Sequence, residues 1–344
     1  MRRTLNILAL AAVVTPTLTS LLSAQSFKTE KYNIGGEGAF DYIAVDPLMS
    51  RVFVSRGTHM MVVDGATGKV LHDIPDTPRI HGAAFSLKDN RGFTTNGGDS
   101  TSTMFDLQTL DVIRKVHAGK DGLDGILYDD ATDKILTINH SKPLGSTVVI
   151  DAKTGDVVTT IELSGKGPEG GVSNGKDRIF INNEDNKQID VVDSKTWKVV
   201  GHYATCEGAT GIAMDRAANR LFSACDDESL VLDASTGNVV AHIKNGGNVD
   251  ALGWDQSQKL MYIPSGDGSV TVVHEDSPDK YTVVATVETM KGARTIAVDP
   301  KSHVAYVFTP EYGPPPAGAT PPAGGRGRGP RGPIIGAWLI RITH

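Results

Sequence analysis

The chain has 344 residues, of which 39% are hydrophobic and 22% charged, proportions that suit one large globular domain or two ordinary ones. Its 34 basic residues against 40 acidic ones, a formal net charge of −6, argue against a general nucleic-acid binder, since neutralising phosphates needs clustered Lys and Arg. Two cysteines are too few for a disulfide scaffold, and 38 glycines with only 6% aromatics point to many tight turns.

In chain order, "MRRTLNILALAAVVTPTLTSLLSAQS" places Arg2 and Arg3 before an apolar run from Leu5 to Val14, then small residues at Ser23 and Ala24. This reads as a secretory signal over residues 1–24, cut after Ala24, and implies an exported protein, periplasmic or extracellular. Without Arg2 and Arg3 the balance becomes 32 basic to 40 acidic residues, a net charge of −8. No other stretch approaches the roughly 20 consecutive apolar residues of a membrane helix. "FKTEKYNIG" next reads as a strand. "GGEGAFDYIAVDP" then resembles a phosphate-binding glycine loop, yet its Asp-Pro would stop a helix before two turns, so the dinucleotide fingerprint fails.

A repeat governs everything that follows. "VVDGATGKVL", "MFDLQTLDVI", "VIDAKTGDVV", "VVDSKTWKVV" and "VLDASTGNVV" set an Asp at 64, 106, 151, 193 and 233, with spacings of 42, 45, 42 and 40, and a degenerate copy places His274 a further 41 on. Each copy is strand, turn, strand: the Asp accepts backbone N–H groups and the Gly supplies positive φ. A second marker, "IAVDPLMSRVFVS" through "IAVDPKSHVAYVF", adds another strand pair to each repeat. Four short strands in about 40–45 residues make a propeller blade. Seven repeats predict an all-β, seven-bladed β-propeller with four-stranded blades, one domain over residues 26–344. The last repeat has three strands of its own, ending in "GAWLIRITH", and the N-terminal strand supplies its fourth, closing the ring. "GGEG" is then the corner joining that strand to the first channel-lining strand.

"VDPLMSRVFVS", "VDPKSHVAYVF" and the D-x-x-T-G turn resemble the YncE-like, or YVTN, β-propeller repeat family over nearly the whole mature chain. The family's Y-V-T-N is replaced here by "VFVS", "GFTT", "IFIN" or "MYIP". The resemblance implies the propeller fold and no particular functional subgroup.

In such a blade two loops reach one rim of the channel. Five residues before the V-D-P marker stand Asp41, His81, Asp124, Thr210, Asp250 and Arg294, with Glu169 at the matching place in repeat four. Ten residues after it stand Arg56, Asn96, Asn139, Cys225, Ser265 and Thr309, with Asn183 in repeat four. The first set predicts a polar, mostly acidic channel mouth able to bind a cation or a polar small molecule, although the rim of a wet channel is polar in any case. No cofactor is assigned. If a divalent cation such as Ca²⁺ or Mg²⁺ binds, Asp124, Glu169 and Asp250 are its candidate ligands. His81 has no second His at ligand spacing, while His59 and His140 fall in strand b–c loops that could converge with it. Cys206 and Cys225 approach the same rim and are expected to form a disulfide. The segment 313–333 holds 14 Gly or Pro among 21 residues, with Arg326, Arg328 and Arg331, and interrupts the last blade between strands b and c as a flexible insertion.

No G-x-S-x-G elbow, H-E-x-x-H helix or Walker sequence occurs. The leading expectation is a monomeric, non-enzymatic binder of a small ligand or protein partner at the rim. A metal-dependent hydrolase or lyase of lactonase type is the alternative, and binding of an anionic polymer or nucleic acid the third.

Overall fold

Each repeated Asp builds its own turn. Oδ1 of Asp64 accepts the N–H groups of Ala66 (3.0 Å) and Thr67 (2.8 Å), and Asp106, Asp151, Asp193 and Asp233 do the same two and three residues on. Gly68, Gly155 and Gly237 then take φ near +70 to +76°, a region that costs Gly nothing; in the two copies without Gly, Leu110 and Trp197 adopt the same left-handed conformation.

The structure, a computed structural model, describes residues 26–120, 122–318 and 331–344. The signal assigned to residues 1–24, and residues 319–330 of the insertion, lie outside them. Strand β1 (Lys28–Asn33) comes first. Blade one follows as β2 (Ile43–Asp46), β3 (Arg51–Ser55), β4 (Met60–Asp64) and β5 (Val70–Ile74). Blade two is β6 (Ile80–Ser86), β7 (Arg91–Asn96), β8 (Thr101–Asp106) and β9 (Val112–His117), and blade three β10 (Leu123–Asp129), β11 (Lys134–Asn139), β12 (Ser146–Asp151) and β13 (Val157–Glu162). Blade four is β14 (Pro168–Ser173), β15 (Arg178–Asn183), β16 (Gln188–Asp193) and β17 (Lys198–Ala204). Blade five is β18 (Ile212–Asp215), β19 (Arg220–Ala224), β20 (Glu228–Asp233) and β21 (Val239–Lys244). Blade six is β22 (Gly253–Asp255), β23 (Leu260–Ser265), β24 (Ser269–Ser277) and β25 (Lys280–Glu288). Blade seven combines β26 (Ile296–Asp299), β27 (Val304–Tyr312) and β28 (Ile334–Thr343) with β1 as its outer strand, in the order β1-β28-β27-β26. Every sheet is four-stranded and antiparallel, a simple meander in blades one to six, and no described helix is long and apolar enough to cross a membrane.

The middle strands carry the core. Among the described residues the buried side chains form seven apolar clusters, each between two neighbouring blades: Val52, Val54 and Met61 of blade one, for example, pack on Tyr306, Phe308 and Leu339 of blade seven. Each fully buried side chain of this kind contributes about 1.5–3 kcal/mol. The blades therefore hold one another in a ring, and the innermost strands are set round a channel.

The opening glycines complete the closure. After β1 the chain turns at Gly35, Gly36 and Gly38, all with positive φ. Arg56, one residue beyond β3, reaches back to donate from Nη1 to Gly35 O and from Nη2 to Gly36 O, both at 2.7 Å. A Cβ at Gly38 would stand 2.1 Å from Arg56 O, so no side chain fits in that corner.

Candidate functional site

The innermost strands approach one another closely because a small residue follows the rim position in most blades. A Cβ on Gly125 would lie 2.4 Å from Glu169 O, on Gly170 2.6 Å from Thr210 O, and on Gly211 2.4 Å from the carbonyl carbon of Ala251. The channel is accordingly narrow, a space of about 150 Å³ walled by Gly82, Gly125, Gly170 and Gly211 with Ile43 and Leu252. This repeated polar-then-Gly pair is a sequence signal that registering single positions overlooks. Blade one departs from it: Tyr42 stands where blades two to five have Gly, lines the channel, and donates its hydroxyl to Glu169 Oε2 of blade four at 3.3 Å.

In blades two, three and four the rim residue sits in a β-bulge. The register slips between Ile80 and Ala83, between Leu123 and Ile126, and between Pro168 and Gly171. Bulges re-aim side chains, and here they bring His81, Asp124 and Glu169 together. His81 Nδ1 lies 2.6 Å from Asp41 Oδ2 and 3.2 Å from Asp124 Oδ1. A single Nδ1–H serves one strong acceptor; the shorter contact to Asp41 is the hydrogen bond and the longer, to Asp124, an ion pair. His140, one residue beyond β11, enters from the other side: its Nε2 is 3.3 Å from Asp124 Oδ2 and 3.4 Å from Glu169 Oε1. Its backbone N–H donates to Gly122 O (2.8 Å) and the next, of Ser141, to Lys166 O (3.1 Å), fixing the loop between blades three and four.

Electrostatics follow from burial and crowding. Burial alone would lower the His81 pKa, but the contacts to Asp124 and Asp41 outweigh it and raise it to about 10. Asp124 is pushed up by burial and pulled down further by His81, and stays below the usual carboxylate range. Glu169 is raised well above its ordinary value by burial and by the neighbouring charges of Asp124 and Asp250, and the Tyr42 hydroxyl is raised likewise by burial and then by Asp124 and Glu169. The mouth thus brings the His81 imidazole and the carboxyl groups of Asp124 and Glu169 within a few ångström of one another, around His140.

The rest of the ring is tied off. Arg294 Nη2 pairs with Asp250 Oδ2 at 2.8 Å, Thr210 Oγ1 donates to Val249 O (3.0 Å), and Thr295 Oγ1 donates to Asp41 O (2.8 Å). Asp250, grouped with Asp124 and Glu169 from sequence, is placed on Arg294 and outside their cluster, while His140 joins it. His59 stands apart beside Asp73, at 3.5 Å.

The strand b termini lie deeper than their spacing suggests. Asn96 bonds with Thr94, Thr101 and Thr103, Asn139 donates to Ala118 O, and Asn183 donates to Asp190 Oδ2, all fully buried. With Arg56, held on Gly35 and Gly36, these four fasten turns within and between blades and do not face the mouth. Ser265 and Thr309 are buried as well. For the three asparagines the reason is position within the strand: each is the last residue of β7, β11 or β15 and points into the blade, and the next residue, as His140 shows, is the first to reach the rim.

Cys206 and Cys225 form a disulfide across Cα atoms 5.9 Å apart, closing a loop of sequence separation 19 in blade five. Its removal is expected to lower stability by about 2–4 kcal/mol through the freed unfolded chain. Thermal unfolding of the Cys206→Ser, Cys225→Ser double variant against the parent measures this, and equal melting temperatures would count against any stabilising role.

Outward from His140 opens a cleft of about 660 Å³ between blades three and four, lined by Lys120, Ser141, Lys142, Lys166, Glu184 and Asp185 among others. Lys166 is loosely paired with Asp185 at 4.0 Å.

Fold and mouth together define a seven-bladed β-propeller whose polar chemistry gathers on one side of the channel. No protein-family model matches the sequence, and no curated protein matches it. Solved structures do match in shape: U3-55K (TM-score 0.75, 10% identity, 90% of this chain and 98% of that one), a WD40-repeat structure of RRP9 (0.75, 11%, 91% and 97%), and Kuenenia stuttgartiensis hydrazine synthase (0.67, 15%, 79% and 93%). Likeness at such identity establishes the propeller fold and nothing of the activity.

Proposed function

We propose that this chain is an exported, YncE-like propeller that binds a small anionic ligand in the cleft between blades three and four, with the channel-mouth cluster at its inner end. The observation that carries the reading is the position of His140, whose ring belongs both to the cleft wall and to the cluster of Asp124 and Glu169. Lys120, Lys142 and Lys166 on the cleft wall supply cations for a carboxylate or phosphate group, and the polar cluster supplies the specificity that a few convergent groups give to ligand pockets. The Cys206–Cys225 bridge supports the exported address, since disulfides persist in oxidising compartments.

Thermal shift and calorimetry with phosphate, oxalate, citrate and a neutral sugar test this reading. At least one anion is expected to bind while the sugar does not; at 100 times its Kd it would stabilise the fold by about 2.7 kcal/mol. Lys142→Glu with Lys166→Glu is expected to weaken that anion by ten-fold or more. If none of the anions binds, or if the charge reversal leaves their affinity intact, the reading fails.

The raised pKa of Glu169 favours one further reading, a hydrolase in which that carboxyl serves as general acid, since acids at work near neutral pH are carboxyls raised in this way.

A further inference from the structure

The cluster at the cleft's inner end has a polar mismatch that hydrogen bonding does not resolve. His140 Nε2 is shut off from solvent and faces two carboxylate oxygens, Asp124 Oδ2 and Glu169 Oε1, yet makes no hydrogen bond of acceptable geometry, and Asp124 Oδ1 is buried in the same condition. An N–H donor to either oxygen would close the gap to about 2.7–2.9 Å, the length of a charge-assisted bond. Instead three atoms able to ligate a metal, His140 Nε2, Asp124 Oδ2 and Glu169 Oε1, gather within 4.8 Å of one another, the nitrogen 3.3–3.4 Å from each oxygen. Those separations equal a tetrahedral ligand–ligand edge, which for metal bonds of about 2.1 Å comes to about 3.4 Å.

We propose that Asp124, His140 and Glu169 hold one divalent transition-metal ion, open toward the cleft. The inference rests on the cleft reading above and refines it: a ligand there would be an anion able to coordinate a metal. Imidazole with carboxylates suits zinc, manganese, iron or cobalt better than Ca²⁺ or Mg²⁺, which favour all-oxygen sets, so the donor set redirects the sequence expectation of a hard cation. Supporting contacts are in place. Tyr42 OH donates to Glu169 Oε2, leaving Oε1 for the ion, and His81, braced by Asp41, stands against Asp124 Oδ1 while Oδ2 faces His140. Outer contacts of this kind orient metal ligands. The Asp41, His81, Asp124 trio also clusters, but its 2.6 Å edge is a hydrogen bond, too short for two donors on one ion.

The test is titration of the mature, disulfide-bonded chain with Co²⁺ at neutral pH. The expected result is one equivalent bound with the intense visible bands of a four- or five-coordinate, nitrogen-containing site, displaced by Zn²⁺ and not by a large excess of Ca²⁺ or Mg²⁺. His140→Gln and Glu169→Gln should each weaken binding about 100-fold or more, and Tyr42→Phe, which strips only the outer contact, about 10–100-fold. His59→Gln should change nothing. Absence of the bands in the parent protein, which needs no variant to fold, overturns the proposal, as does retention of the parent spectrum in His140→Gln. If the bands are absent while an anion still binds and responds to Lys142→Glu, the cleft reading stands and the metal site falls.

Discussion

A chain beginning at Gly35, without residues 26–34, is expected to lose at least about 5 kcal/mol, which is of the order of a domain's whole stability, and so to melt far below the parent or fail to fold cooperatively. The short N-terminal strand stitches three blades. It pairs with β28 along its length, from Lys28 opposite Thr343 to Asn33 opposite Trp338, and Ile34 N–H continues the ladder to Ala337 O at 2.8 Å. Toward blade one, Tyr32 donates to Ala66 O (2.9 Å) and Ile34 enters the apolar cluster with Val54 and Leu339. Toward blade six, Phe27 packs edge-on against Tyr262, the ring centroids 6.4 Å apart. Truncation would also bare the edge of β28 from Ala337 to Thr343, an invitation to pair with another chain. Differential scanning calorimetry and size-exclusion chromatography check the outcome, and a synthetic peptide of residues 26–36 added in trans should restore the monomer and much of the melting temperature. A truncated chain that stays monomeric and melts within about 2 °C of the parent would show that the ring does not depend on its closing strand.

The ring was readable because its causes are local and repeated. An Asp that satisfies the turn two and three residues ahead leaves the same mark at 64, 106, 151, 193 and 233, and apolar strands between such turns can bury themselves only by stacking blade on blade. Counting from the turns also locates the seven rim positions, including Asp41, His81, Asp124 and Glu169. What the count does not contain is direction. Three bulges decide that His81, Asp124 and Glu169 meet, and a bulge is a slip of register between two strands that neither strand records in its own composition. The backbone bonds that carry His140 inward, to Gly122 O and Lys166 O, likewise belong to loops from two blades. The same limit misplaces Asn96, Asn139 and Asn183: with alternating side chains, an error of one residue turns a buried fastening into a rim group.

Arg56→Ala is expected to cost about 3–5 kcal/mol, on the order of 10 °C in melting temperature, while leaving anion binding in the cleft unchanged. The guanidinium is fully buried beneath the glycine corner, and burial holds its pKa below the usual arginine range. Without it the carbonyls of Gly35 and Gly36 lose their donors, each such loss costing about 1–3 kcal/mol. The stacking of Arg56 over Phe308, 5.1 Å from the ring centroid, goes too, worth about 0.5–2 kcal/mol. Removing a buried cation whose Nε is itself unpartnered offsets part of this sum and keeps the net at a few kcal/mol. Arg56→Met, which keeps apolar length over Phe308 and donates nothing, should fall between Ala and the parent, separating packing from hydrogen bonding. Hydrogen exchange should report the damage first in residues 28–34, the strand that the corner anchors. A direct ligand contact would give the opposite pattern: an Arg56→Ala protein as stable as the parent, with the anion affinity lost, would put this arginine back in the binding site.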